Sequence, residues 1–308
     1  MTVPSIDISG LFSTDKAERR SVATDIGEAC ERVGFLTVTG HGISTELIDE
    51  AFGQTRRVFE LPETAKMAAA WSDDRPNRGY DPAGNQRLDE EAAADHKEAW
   101  SFGPEHLAGS SGPMQVANTW PDLDGFKDPI MTYHAAAMDL GERLLRAMAL
   151  SLALPEDFFT PFHTNPVCTL RLLHYPPRPA AAGNDEFGCG AHTDWGAVTM
   201  LAQDDAGSLE VQAKDGSWIA VHPEPGALVI NVGDLLAQWT NDRYTSTRHR
   251  VLGVPGRSRY SVACFYDLDH DAVIEVLPTC TDADNPPRYP ATTAGQHLQA
   301  RFEASMPG

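Results

Sequence analysis

The stretch GAHTDWGAVTML, Gly190 to Leu201, sets His192 and Asp194 two residues apart in a run that otherwise reads as apolar strand. Residues i and i+2 of a strand share a face, so an imidazole and a carboxylate would be directed at one point while Thr193 faces away. Two ligands hold a metal weakly. A third candidate is His249 in TSTRHRV, far downstream and also on a strand-like run. Two histidines and one carboxylate occupying one face of an octahedron leave the opposite face open, the arrangement suited to non-haem iron(II) and oxygen chemistry. Three protein ligands and a water also suit catalytic zinc. A lone histidine is more often structural, and His41, His96, His106, His134, His163, His174, His222, His270 and His297 are read that way.

A second pair, Arg259 and Ser261 in RYS, again shares one strand face. HRVLGVPGRSRYS reads as a hairpin turning near residues 254–256, which would bring Arg259 across from His249 on an adjacent strand about 5 Å away. A guanidinium grips a carboxylate through two parallel hydrogen bonds, and a serine hydroxyl can add a third. The pair would therefore hold a small acid one molecule's length from the metal. No nucleophile elbow or Ser-His-Asp signature accompanies them.

These residues need elements to position them. Val22, Ile26, Ala29 and Val33 follow helical spacing up to Gly34, FLTVTGHGI is a short strand and turn, and Ser44 caps a second helix that stops before Pro62. Residues 71–121 are polar and loop-like, with a strand around KEAWSFG, and Ile130, His134, Met138, Leu145, Met148 and Leu152 mark one face of a long helix. Beyond Pro155 come eight strand-like runs separated by turn residues, AKDGSW among the hairpins, and then a final helix in TTAGQHLQARFEASM. Eight short strands at close spacing mean a sandwich or barrel, hence a mainly β protein with flanking helices. No repeat or linker divides the chain. The division expected is an N-terminal module over 1–125 packed on a core over 126–308, forming one compact unit.

Of 308 residues, 42% are hydrophobic, which is ample for a packed core. The 24 basic and 44 acidic residues leave a formal charge of −20, so phosphate backbones and anionic membranes repel the chain on average. Neither nucleic acid nor membrane is expected as a partner. No apolar stretch reaches the length of a membrane span, and MTVPSIDISGLF lacks the pattern of a secretory signal, so the expected location is cytoplasmic. Five scattered cysteines without a CxxC pair argue against disulfides or a thiolate zinc site. Oligomeric state is not legible.

HTD at 192–194, HRV at 249–251 and RYS at 259–261 resemble the isopenicillin N synthase-like branch of the iron(II)/2-oxoglutarate oxygenases. VPSIDISGL, GFLTVTGHGI, DHKEAWSFG, NTWP and LRLLHYPP resemble the same family in order along the chain. The resemblance implies a double-stranded β-helix, or jelly-roll, with an N-terminal α/β module and a C-terminal helix. It implies iron(II) held by His192, Asp194 and His249, 2-oxoglutarate bound by Arg259 and Ser261 and by Tyr175, which matches a tyrosine that hydrogen-bonds the cosubstrate in many relatives, and O2 as the oxidant. The implied activity is a dioxygenase that hydroxylates, desaturates or cyclises a small molecule and releases succinate and CO2, in specialised metabolism. Many plant members carry Asn-Tyr-Tyr where this chain has Leu173-His174-Tyr175, so one amide contact to the cosubstrate is absent. Two alternatives stand beside this reading: an iron(II) oxidase of the same family that uses no 2-oxoglutarate, and a non-catalytic jelly-roll binding protein.

For substrate contacts, Trp195 follows the aspartate, Phe265 shares the strand face of Ser261, and Arg171 that of Tyr175. The loop from Asn77 to Glu90 is expected to close over the site and present Arg78 and Tyr80 to a polar substrate.

Overall fold

A computed structural model describes residues 2–72, 77–86, 95–105, 116–177 and 187–305. His106 and residues 87–90 of the expected loop lie outside this set. The N-terminal part runs β1 (Ser5–Asp7), α1 (Lys16–Arg32), β2 (Phe35–Thr39), α2 (Thr45–Phe59), α3 (Glu63–Ala68), β3 (Gly79–Asp81) and β4 (Glu98–Phe102). The long helix α4 (Lys127–Ser151) follows, and then β5 (Thr169–Tyr175), β6 (Phe187–His192), β7 (Val198–Gln203), β8 (Leu209–Gln212), β9 (Trp218–Ala220) and β10 (Leu228–Val232). Last come α5 (Asp234–Trp239), β11 (His249–Leu252), β12 (Arg259–Tyr266), β13 (Val273–Ile274), β14 (Thr292–Thr293) and α6 (Ala294–Ser305). The expected Ser44 cap is present, accepting from Leu47 N at the start of α2, and Asp15 caps α1 by accepting from Ala17 N.

An eight-stranded sheet in the order β1-β2-β10-β7-β12-β5-β4-β3 faces a four-stranded sheet, β6-β11-β8-β9. This is the two-layered jelly-roll, and the N-terminal strands build both edges of its larger sheet. That sheet is covered on both sides, which is why LVINV and VTMLAQ read as near-continuous apolar runs. Leu170, Leu172, Ile230, Val262 and Met200 pack outward in one core with the helices, including Ile130, Leu144 and Met148 of α4. Leu173, Tyr175, Val229 and Ala263 point inward and meet Cys189, Val211 and Val251 of the smaller sheet. Gly141 lets α4 come close, since a β-carbon there would sit 2.5 Å from the Tyr266 ring.

Two local expectations are corrected. GAHTDWGAVTML is not one strand: β6 ends at His192, Asp194 lies in the connection, and β7 opens at Val198 in the other sheet. Likewise β11 and β12 form no hairpin, because β11 pairs with β6 and β8 while β12 pairs with β5 and β7. In a jelly-roll these successive strands alternate between layers, so side chains that a hairpin would set side by side instead meet across the interior, sheets stacking about 10 Å apart. Segments 63–68, 79–81 and 234–239, short helices and a strand, were not expected from the sequence; each has fewer residues than a clear periodic pattern requires.

Gly141→Ala is expected to destabilise the protein by about 1–3 kcal/mol through overlap with Tyr266. Gly53→Ala in α2, where a β-carbon meets nothing within 4 Å, is expected to stabilise by about 0.5–1 kcal/mol. Urea unfolding midpoints measure both, and equal signs would contradict the close contact.

Candidate metal centre and adjoining chamber

His192 closes β6 and stands in register with His249, the first residue of β11, their ring centres 4.3 Å apart. The ladder slips immediately after His249, a bulge of the kind that aims side chains beside sites. Each ring has a backbone carbonyl at Nδ1: Gly190 O at 2.8 Å for His192 and Thr247 O at 3.2 Å for His249. A carbonyl only accepts, so Nδ1 carries the proton and Nε2 presents its lone pair. Burial lowers the pKa of both, that of His249 to about 4, and keeps them neutral near pH 7.

Asp194 reaches the same point from the β6–β7 connection, which is seated on the start of α5 through Asp234 N to Asp194 O at 2.7 Å. Gly196 permits this turn, because a β-carbon there would collide with the Asp267 carboxyl. Asp194 Oδ2 accepts from Thr199 Oγ1 at 2.6 Å and Asn231 Nδ2 at 2.7 Å, and those two residues are cross-strand partners. Oδ1 remains, 3.8 Å from His192 Nε2 and 3.7 Å from His249 Nε2. Burial opposes ionisation here, but the two imidazoles and the two hydrogen bonds prevail and hold the carboxyl below its usual value. Among the described residues these three form the one cluster able to share an ion, their ligand atoms all within 4.8 Å of each other. Two ligands of one ion, each bonded at about 2.0–2.2 Å, can be at most about 4.4 Å apart, a limit met by the 3.8 and 3.7 Å from Asp194 Oδ1 to the two imidazoles. The donor set therefore fits a divalent metal: two neutral imidazole nitrogens, one anionic oxygen, and partners that fix each orientation.

Arg259, Ser261 and Tyr175 line the same cavity of about 90 Å³ as the triad, facing it from the larger sheet. Arg259 is buried and donates from Nε to Gly207 O at 2.8 Å and from Nη1 to Ser261 Oγ at 3.2 Å, while Nη2 is buried without a partner. Its cross-strand partner Tyr175 lies under the guanidinium, ring centre 4.8 Å away. An orphaned buried N–H is costly, and an incoming carboxylate would satisfy it. Leu173 lines this cavity in place of an amide, and His174 points to the other face, its Nδ1 2.7 Å from Glu98 Oε1.

A second cavity, also about 90 Å³, adjoins His192 and Asp194 and is lined by Arg171, Trp195 and Phe265. Arg78 and Tyr80 are corrections. Tyr80 lies in β3, its ring tilted against Trp100 with centres 5.7 Å apart, and its hydroxyl donates to Glu98 on the helix side of the sheet. Arg78 is wholly buried behind Thr169, to whose Oγ1 it donates at 3.1 Å. The segment 79–81 is a paired edge strand and not a free loop, and its register decides where these side chains go. Sequence reasoning also missed Asn231, Thr199, Asp267, Asp81, Lys97 and Asp95. Asn231 had a readable mark, an amide inside the apolar run LVINV. Asp95 accepts from Gly190 N at 2.9 Å and from Lys97 Nζ, so it braces the strand that carries His192.

Residues 3–123 match the family described as non-haem dioxygenase in morphine synthesis N-terminal, and residues 166–268 match the 2OG-Fe(II) oxygenase superfamily. The 2-oxoglutarate-Fe(II) type oxidoreductase hxnY of Emericella nidulans is 37% identical over 98% of this chain and 90% of its own length. The 2-oxoglutarate-dependent dioxygenase citB of Monascus ruber is 36% identical over 87% and 85%. The crystal structure of a full-length Neurospora crassa protein in complex with alpha-KG and thymine superposes with a TM-score of 0.89 at 30% identity, covering 98% of this chain and 96% of that one. The chain belongs to the 2OG-Fe(II) oxygenase superfamily. It is a 2-oxoglutarate-dependent dioxygenase whose cofactors are Fe(II), 2-oxoglutarate and O2.

Asn231→Ala is expected to weaken metal binding about 10- to 100-fold by releasing Asp194 Oδ2, read by anaerobic titration with Mn(II); an unchanged affinity would contradict this role.

Asp267 supplies a pH test on the metal-free protein. Burial, opposed by the Ala197 N–H and reinforced by Asp194, pushes its carboxyl up to about 7. The folded state keeps this proton to about pH 7 and the unfolded chain loses it near 3.8. Its contribution to stability is thus present below about pH 4 and is lost towards pH 7, at about 1.4 kcal/mol per unit. Asp267→Asn is expected to gain on the wild type over that window in urea melts, and a constant difference would refute the shift.

Proposed function

We propose that His192, Asp194 and His249 hold the iron, that Arg259 and Ser261 bind the distal carboxylate of 2-oxoglutarate, and that Tyr175 supports the arginine. The observation that carries this reading is the orphaned Nη2 of Arg259, held in one cavity with the three ligand atoms. When bound, iron(II) supplies oxygen activation coupled to oxidative decarboxylation of the keto acid to succinate and CO2. The protein contributes position. Thr199 and Asn231 keep Asp194 Oδ1 turned towards the ion, and the carbonyls of Gly190 and Thr247 set the tautomers of the two imidazoles. Arg259, fixed by Gly207, Ser261 and the Tyr175 ring, fixes the far end of the diacid in turn. With both ends tied, the cosubstrate has one orientation, and effective concentration replaces random encounter.

The substrate is a small molecule that occupies the second cavity, where Arg171, Trp195 and Phe265 adjoin His192 and Asp194. The Neurospora crassa protein crystallised with thymine and with 5-formyluracil supports a compact substrate, as those ligands have a single ring. A C–H bond placed there is hydroxylated, desaturated or used for ring closure.

His192→Ala and Asp194→Ala are expected to abolish 2-oxoglutarate turnover to succinate. Arg259→Lys keeps a charge but not the fork, and is expected to raise the dissociation constant for 2-oxoglutarate about 100-fold, in line with the 2–5 kcal/mol at stake when one partner of a buried charge pair is truncated. Succinate assays and anaerobic titration measure these. Wild-type succinate formation by either ligand variant would sink the assignment.

A further inference from the structure

We propose that the substrate is an uncharged, ring-sized molecule carrying a carbonyl acceptor, because among the described residues the chamber's own ion pairs leave a free cation for the cosubstrate and none for a second acid. This rests on the clamp assignment above. Among the described residues, three Lys or Arg side chains line the two cavities: Lys97, Arg171 and Arg259. Lys97 is paired with the buried carboxylate of Asp95. Arg171 is paired through Nη2 with Asp81, and the same nitrogen donates to Gln86 Oε1 at 3.0 Å. Arg259 has neutral partners alone, a carbonyl and a hydroxyl.

The balance is then simple. Asp194 and one carboxylate of 2-oxoglutarate offset a divalent ion, and Arg259 offsets the other carboxylate. A substrate acid placed beside Arg171 would have to share a cation already matched by Asp81, and a buried charge without its own counter-ion is strongly disfavoured. A substrate cation would lie beside the Arg171 guanidinium, and the Asp267 carboxyl of the same cavity already accepts from Ala197 N at 3.0 Å.

What the second cavity does offer suits a neutral ring. Trp195 and Phe265, with Leu298 and Phe302 from α6, give it apolar and aromatic walls around about 90 Å³. Arg171 keeps Nε buried without an acceptor, a donor that a carbonyl oxygen can satisfy without bringing charge. Arg171 is thus a specificity-determining residue, and Asp81 is the residue that makes it read polarity instead of charge.

The test titrates the full-length protein, loaded anaerobically with Mn(II) and 2-oxoglutarate, with rings that share a scaffold and differ in one substituent and its charge. Nicotinamide, nicotinate and 3-(aminomethyl)pyridine form one set, uracil and orotate another. In each set the neutral member is expected to bind at least about tenfold tighter than its charged analogues, the mark of an unmatched buried charge. Asp81→Asn, which strips the counter-charge from Arg171, is expected to raise the nicotinate-to-nicotinamide affinity ratio by about tenfold or more. A charged ring that binds as tightly as its neutral analogue overturns the proposal, as does failure of both neutral rings to bind, or an unchanged ratio in a folded Asp81→Asn protein. Should that variant not fold, the wild-type series decides alone. Binding of 2-oxoglutarate before any ring is added serves as the control: its failure sinks the clamp assignment itself, whereas normal 2-oxoglutarate binding with no preference among rings sinks the neutrality alone.

Discussion

A single buried carboxylate organises the centre. Asp194 is held by two neutral imidazoles, a hydroxyl and an amide. Such a group is costly to bury unless something positive completes it, and a divalent ion is what the remaining oxygen and the two Nε2 lone pairs are shaped to receive. The hydroxyl and amide come from adjacent positions on β7 and β10, so the orientation of the ligand is written into the larger sheet and not into the connection that carries it.

The two-sheet architecture follows from the same need. The triad draws on β6, β11 and the β6–β7 connection, and the clamp on β12 and β5, so the two halves of the site belong to different layers. Sheets about 10 Å apart leave room for a small diacid to span from one to the other, whereas neighbouring strands about 5 Å apart would not. The helices matter less directly: α4 and its neighbours cover the outer face of the larger sheet, which lets the inner face stay partly polar without exposing the core.

Charge is handled pairwise around the interior. Lys97 with Asp95 and Arg171 with Asp81 are matched pairs near the centre, and Arg259 stands apart because its hydrogen-bond partners are neutral. In a chain of net charge −20 this sparing use of unmatched positive charge marks where an anion belongs.

Residue types were enough to announce the chemistry. HTD, HRV and RYS mark the residues proposed as ligands and clamp, and alternation along β5 and β12 put Arg171 with Tyr175 and Phe265 with Ser261, since a side-chain period of two survives any sheet arrangement. The cap at Ser44 and the long helix over 127–151 were legible for the same local reason. Which sheet each strand joins was not legible. His192 and Asp194 converge because a strand ends between them, and Arg259 meets the triad across the interior instead of along a hairpin. Register likewise turned Tyr80 to the helix side and buried Arg78, although both sit in a polar stretch that reads as loop. Local sequence carries periodicity and chemistry; pairing partners are decided by contacts between residues remote along the chain, and those alone settle which side chains share a cavity.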